Sequence, residues 1–250
     1  MLEPLFTAVA AVRSLAAYIL VSLYVVVTAP PGILISLLIR RPHVLYWLGR
    51  QGVRLGLVTV GIGYRIAGAE HIQTGRAAVY CVNHTSNLEP PVVYQVLAAV
   101  HPRLRVLYKA EIHRIPLLST VFDIAGFVPI QRRDREQSRL AIETAAGALR
   151  DGNSFLIFPE GTRSRTGDLL PFKKGGFVMA IRGGAAIVPL TIIGTRQAMR
   201  KGSPIIRPVT VSVRIGPPIE PSDHGLQNRE QLVAATRLAM EDLLAAGPVG

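Results

Sequence analysis

The stretch Ala77-Ala78-Val79-Tyr80-Cys81-Val82-Asn83-His84-Thr85-Ser86-Asn87-Leu88-Glu89-Pro90-Pro91 decides how this 250-residue chain is read. Ala77–Val82 is short and mostly apolar, the pattern of a buried strand. Pro90-Pro91 opens a second apolar run, Val92–Val100, which reads as a helix. A histidine therefore stands where a strand stops and a helix is about to start, with a carboxylate, Glu89, five residues on. In open α/β sheets that edge is where ligands bind. A histidine backed by an acid is equipped to take a proton from a hydroxyl. Seen alone, the stretch also fits an ordinary polar loop, in which Asn83, Ser86 and Asn87 cap the helix.

Composition narrows the choices. Hydrophobic residues make up 49% of the chain and the mean hydropathy is +0.34, values that point to membrane contact. Charged residues are few, yet the formal net charge is +12, and all but four of the 28 basic residues are arginine. A basic surface faces nucleic acid, an anionic leaflet or a phosphorylated substrate. Nucleic acid is disfavoured, because the few aromatics are not interleaved with the basic residues as a stacking platform requires. The single cysteine, Cys81, excludes an internal disulfide framework and, lying in a predicted strand, reads as core.

From Ser14 to Ile39 the chain is uncharged, long enough to cross a bilayer, which needs ~20 residues. Pro30-Pro31 interrupts this segment. It reads first as a kinked span or a re-entrant helical hairpin, then as a cleaved signal peptide ending near Ala29, then as a buried core helix. Arg40, Arg41, Arg50 and Arg54 outnumber Arg13, which places the remainder of the chain on the cytoplasmic side of the cell membrane. His43–Leu57, with Tyr46 and Trp47, reads as an interfacial amphipathic helix. Tyr64-Arg65-Ile66 reads as a first strand, and the division between a membrane-anchoring region (1–66) and a globular domain (67–250) is placed there.

Beyond it, strands and helices alternate. Strands are expected at Ala77–Val82, Arg105–Tyr108, Phe127–Ile130, Ser154–Phe158, Ala186–Ile193 and Val209–Ile215. Helices are expected at Val92–Val100, Pro116–Ala125, Glu136–Asp151, Gly176–Arg182 and Glu230–Ala245. The fold class is therefore α/β, a mainly parallel sheet flanked by helices, with an N-terminal membrane-associated helical segment.

Two further groups suit an anionic ligand. Phe158-Pro159-Glu160-Gly161-Thr162-Arg163-Ser164-Arg165 follows a strand. Gly161 lets a backbone N–H approach an anion, and Arg163 offers a fork suited to phosphate. Lys109 and Gln131-Arg132-Arg133 follow two other strands, and a parallel sheet would carry them to the rim that holds His84 and Arg163. Each group, taken singly, also fits a solvated surface turn. No G-x-S-x-G elbow, Walker A loop, H-E-x-x-H or G-x-G-x-x-G is present, so serine hydrolases, nucleoside-triphosphate enzymes, zinc peptidases and dinucleotide enzymes lose their main support.

In this order the groups resemble the 1-acylglycerol-3-phosphate acyltransferase family of glycerolipid acyltransferases. Asn83-His84 to Glu89 is similar to the family's N-H-x-x-x-x-D. Gly126-Phe127-Val128-Pro129-Ile130-Gln131-Arg132 is similar to its second motif. Phe158–Ser164 matches F-P-E-G-T-R-S in full, and Ile187-Val188-Pro189-Leu190 is similar to its fourth motif. Lys109-Ala110-Glu111 and Pro171-Phe172-Lys173-Lys174-Gly175 are similar to further family segments. One position departs: Glu89 stands where the family usually has Asp.

The resemblance implies an enzyme of phospholipid biosynthesis that moves an acyl group from acyl-CoA or acyl-carrier protein to the sn-2 hydroxyl of lysophosphatidic acid. It implies His84 as general base, Glu89 as its partner, Lys109, Arg132 and Arg163 as phosphate ligands, and Glu160, Gly161 and Thr162 as shapers of the acceptor site. It implies membrane lipid as partner, no metal and no bound cofactor. An acceptor such as glycerol 3-phosphate or another lysolipid, and a non-catalytic membrane-binding role, stay open beside it.

Overall fold

The computed structural model describes residues 2–131, 133–221 and 229–250. The elements in chain order are α1 (Leu2–Ile39), α2 (His43–Val60), β1 (Ile62–Ala67), β2 (Ala78–Val82), α3 (Glu89–Val96), β3 (Leu104–Lys109), α4 (Leu118–Ile124), β4 (Val128–Ile130), α5 (Arg135–Arg150), β5 (Ser154–Ile157), α6 (Gly175–Gly183), β6 (Ala186–Ile193), α7 (Thr195–Ala198), β7 (Val209–Ile215) and α8 (Arg229–Ala245).

The strands form one sheet in the order β1-β7-β6-β2-β5-β3-β4. From β6 to β4 every neighbouring pair is parallel. β7 runs antiparallel to β6, and β1 lies parallel to β7 at the end of the sheet. The expected mainly parallel α/β sheet is therefore the one observed. β1 straddles the expected division at 66/67, and it pairs with β7 along its whole length, from Ile62↔Val209 to Ala67↔Arg214.

The period-two geometry of a strand sends the side chains of β2 to opposite faces. Ala78, Tyr80 and Val82 pack with Leu57 and Val60 of α2 and Val92, Val93 and Val96 of α3. Val79 and Cys81 pack on the other face with α5, α6 and α8. A strand buried on both faces explains the unbroken apolar run that marks it in the sequence. Cys81 is fully buried, and burial pushes its thiol far above the ordinary range, so it is core.

Three local expectations are corrected. The helix after β2 begins at Glu89 rather than after the prolines, and ends at Val96, with a 3-10 turn at Ala98–Val100. Prolines are tolerated in a first helical turn because their missing N–H groups have no intrahelical acceptor there. Its N-cap is Leu88, without a side-chain cap, so Asn83, Ser86 and Asn87 do not cap it. The helix expected from Pro116 starts only at Leu118, because Leu117 has φ +66.

Pro30-Pro31 does not interrupt α1, which runs through both residues. Proline in a helix interior removes a hydrogen bond and crowds the preceding turn. Close packing accompanies it here. Small buried residues, Ala29, Gly32 and Ser36, form the face at the proline pair. An added Cβ on Gly32 would meet Leu48 Cδ1 of α2 at 2.5 Å. The hairpin is thus α1 against α2, turning through Arg40 at φ +53. α1 is long and apolar enough to cross a membrane, and its exposed side chains include Leu20, Leu23, Val26 and Leu38. That exposure excludes a buried core helix.

One glycine sets a sharp requirement on the sheet's edge. Gly68, just after β1, has φ +80, and a Cβ there would lie 2.0 Å from the carbonyl oxygen of Ile215 in β7. Strain and clash together cost at least about 2 kcal/mol. Gly68→Ala is expected to lower Tm by roughly 4–8 °C. An unchanged melting curve would show that β7 yields there without penalty.

Candidate active site

The parallel strands deliver five carboxyl ends to one rim, and the site is built where the central strand β2 stops. Asn83 continues β2 toward β6 with its side chain. Its Nδ2 donates to the carbonyl of Ile192 at 3.0 Å, and its Oδ1 accepts from the Ile192 N–H at 2.7 Å. The amide thus stands in for the next step of the strand ladder and fixes where His84 leaves the sheet.

His84 is held from three directions. Its Nδ1 lies 2.7 Å from Glu89 Oε2. Its ring stacks on Phe158 with centroids 4.2 Å apart. Its backbone N–H donates to Glu160 Oε1 at 2.7 Å. The Nδ1–carboxylate contact places the proton on Nδ1 and leaves Nε2 with the lone pair. The imidazole is 17% exposed, so it is reachable from solvent, whereas Glu89 is wholly buried.

Glu89 is buried without being isolated. Besides His84, its carboxylate accepts from the N–H groups of Thr85 and Ser86 at 2.9 Å, and from the hydroxyls of Thr85 (2.6 Å) and Thr195 (2.8 Å). As the first residue of α3, it also meets the positive end of the helix dipole. A buried carboxylate needs such donors, since desolvation otherwise disfavours its charge. The fifth-residue spacing works because His84 precedes the helix and Glu89 reaches back over the turn.

The segment after β5 is bound to the same loop. Glu160 is nearly inaccessible, and its second oxygen accepts from the Leu170 N–H at 2.9 Å. Ser164 N–H donates to the His84 carbonyl at 2.7 Å. Glu160 is therefore a brace between two backbone segments. Burial pushes its carboxyl above the ordinary value of 4.5, and the two N–H donors oppose that shift.

The other expected residues are less closely gathered. Gly161, at φ +69, lies against Lys173, whose Cγ would be 3.4 Å from an added Cβ. Thr162 is exposed. Arg163 is half-buried, its carbonyl accepts from Lys201 Nζ at 3.0 Å, and among the described residues its guanidinium enters no ion pair. Lys109 ends β3, is exposed, and pairs with Glu111 at 3.1 Å. Arg132 lies outside the described residues.

Phe158 links this polar cluster to an apolar one. A cavity of about 320 Å³ opens beside it, lined by Leu107, Ile130, Ile142, Ile157 and Phe158, with Ser138 and Lys173 as its polar side chains. Among the described residues no group of three or more His, Cys, Asp and Glu side chains is placed to hold a metal ion.

Sequence reasoning missed Thr85, Thr195 and the ring of Phe158 as parts of the site. Thr85 and Phe158 sit inside recognisable motifs. Thr195 carries no local signal, since it meets Glu89 from 106 residues away.

Comparison with known proteins identifies the family. The family model for Acyltransferase matches residues 63–193, just over half of the chain. The 1-acyl-sn-glycerol-3-phosphate acyltransferase of Limnanthes douglasii is 34% identical over 197 residues, spanning 77% of this chain and 68% of that protein. The chain belongs to the 1-acylglycerol-3-phosphate acyltransferase family. The like-named protein of Borreliella burgdorferi is 28% identical to this family member, over 75% of it and 74% of the relative. The crystal structure of the 1-acyl-sn-glycerophosphate (LPA) acyltransferase PlsC from Thermotoga maritima superimposes with a TM-score of 0.78 at 24% identity. It covers 94% of this acyltransferase and 96% of that chain, and so shares its fold.

Proposed function

We propose that this acyltransferase moves an acyl group from acyl-CoA or acyl-carrier protein to the free sn-2 hydroxyl of 1-acylglycerol 3-phosphate, giving phosphatidic acid. The observation that carries the reading is the 2.7 Å contact between His84 Nδ1 and the buried Glu89, with the imidazole still open to solvent. Glu89 orients the ring and stabilises its charge. Nε2 of His84 accepts the hydroxyl proton as the oxygen attacks the thioester carbonyl. The new C–O bond forms, the tetrahedral intermediate collapses, the C–S bond breaks, and the thiol leaves with the proton that His84 returns.

Arg163 binds the acceptor's phosphate, with Lys109 and Arg132 assisting; Lys109 exchanges Glu111 for it. Glu160 braces the acceptor loop, and Gly161 and Thr162 shape its surface. The cavity beside Phe158 is lined mostly by apolar side chains, which suit a hydrocarbon chain. The scheme uses no metal and no bound cofactor. Residues 1–66 serve as the membrane anchor, and 67–250 carry the chemistry. The exposed apolar face of α1, with Trp47 of α2, holds the enzyme on the cytoplasmic side of the cell membrane, where acceptor and product reside.

An acceptor and donor panel tests this reading. Purified enzyme in lipid vesicles is given lysophosphatidic acid, glycerol 3-phosphate or lysophosphatidylcholine, with acyl-CoA or acyl-carrier protein. Phosphatidic acid is the expected product. Arg163→Ala is expected to raise KM for lysophosphatidic acid by about 10–100-fold, the worth of a charged hydrogen bond. Preferential acylation of either other acceptor, or a KM indifferent to that change, sinks the proposal.

A further inference from the structure

Glu89 divides its two oxygens unequally. Oε2 lies 2.7 Å from His84 Nδ1. Oε1 takes the hydroxyl of Thr85 at 2.6 Å, the N–H of Ser86 at 2.9 Å and the hydroxyl of Thr195 at 2.8 Å, while the N–H of Thr85 is shared between Oε1 at 2.9 Å and Oε2 at 3.0 Å. The donors from Thr85 and Ser86 belong to the same loop as His84 and move with it. They tie the carboxylate to the sheet only through the loop's own anchors. Thr195 ties it directly, because it opens α7 just after β6.

Thr195 is wholly buried, and its hydroxyl lies 3.3 Å from that of Thr85. The segment that carries it is itself anchored. Met199 accepts through its carbonyl from Ser86 Oγ at 2.9 Å, and Arg207 N–H donates to the Ala198 carbonyl at 2.8 Å. Further on, Ile206 N–H donates to Ser14 Oγ of α1 at 2.8 Å, and Tyr18 of α1 donates to the Pro204 carbonyl at 2.7 Å.

We infer that Thr195 is a positioning residue for acyl transfer: its hydroxyl pins Oε1 of Glu89 so that Oε2 is presented to His84. The inference rests on the reading of His84 as the base. A glutamate has one more side-chain torsion than the aspartate usual in the family, and that torsion must be fixed for the imidazole to stay aligned.

The test compares five variants with the whole enzyme in vesicles. Thr195→Val keeps shape and loses the donor; it is expected to lower kcat about 10-fold or more, with KM for the acceptor within about threefold. Thr195→Ser is expected to restore most of the rate. In a Glu89→Ala background, Thr195→Val is expected to cause no further loss, since the group it acts through is gone. The inference is overturned by an unchanged kcat in Thr195→Val, by an equal loss in the Glu89→Ala background, or by a failure of Thr195→Ser to recover. His84→Ala separates the two readings. If it stays fully active, the base assignment fails; if it is inactive while Thr195→Val is normal, only the role of Thr195 fails.

Discussion

His84→Ala is expected to lower kcat by about 10²–10⁴, the usual worth of a positioned general base. Acceptor KM should stay within about threefold, because His84 is not one of the proposed phosphate ligands. The substitution leaves the loop in place, since the bonds from residue 84 to Glu160 and Ser164 are made by its backbone. What disappears is Nε2, the Nδ1 contact with Glu89 and the ring face on Phe158. Added imidazole is expected to recover part of the rate. The measurement is initial-rate formation of phosphatidic acid at saturating donor. A variant within about tenfold of wild type would remove His84 from the chemistry.

Glu160→Ala is expected to damage stability and rate together. The buried carboxylate is the acceptor for two backbone N–H groups, those of His84 and Leu170. Losing it leaves two buried donors unmet, at about 1–3 kcal/mol each, or roughly 2–6 kcal/mol. In a chain of this size that corresponds to a fall in Tm on the order of 10 °C. Glu160→Gln keeps one acceptor and is expected to fall between the two. The pH dependence has a definite sign. Burial raises the folded-state pKa of Glu160 above its ordinary 4.5, so protonation is favoured by folding. The stability it contributes is complete below that value and is lost as pH rises through the raised pKa. The stability difference between wild type and Glu160→Gln should therefore shift against wild type over that window. A flat difference across it would show that Glu160 titrates normally.

The parts of this enzyme legible in the sequence are those whose partners are close along the chain. His84 and Glu89 meet within one turn, and Phe158–Ser164 is contiguous, so each motif is also a cluster in space. The apolar runs of β2, β5 and β6 are legible because a strand covered on both faces has no polar side. Thr195 is not legible, because a threonine after a strand is among the commonest of loop residues. Its contact with Glu89 exists only once β6 is laid beside β2. Asn83 reads as a cap for the same reason: its real acceptor and donor are the backbone of Ile192, in a strand from the far half of the chain. Pro30-Pro31 misleads in the other direction. The local cost of proline in a helix is real, but Ala29, Gly32 and Ser36 let α2 pack tightly at that point.

The position of β1 has a consequence for how the protein is made. β1 leaves the N-terminal hairpin, yet its neighbour in the sheet is β7, near the other end of the chain. On the ribosome, α1 and α2 emerge while most of the sheet has yet to be translated, and the apolar side chains that they do not cover on each other have no other protein surface to meet. Capture by a bilayer or a chaperone at that early stage would shield them. β1 waits, unpaired, until almost the last of the chain is released. A transcript cut short before β7 would leave the edges of both β1 and β6 bare, and such edges are templates for aggregation.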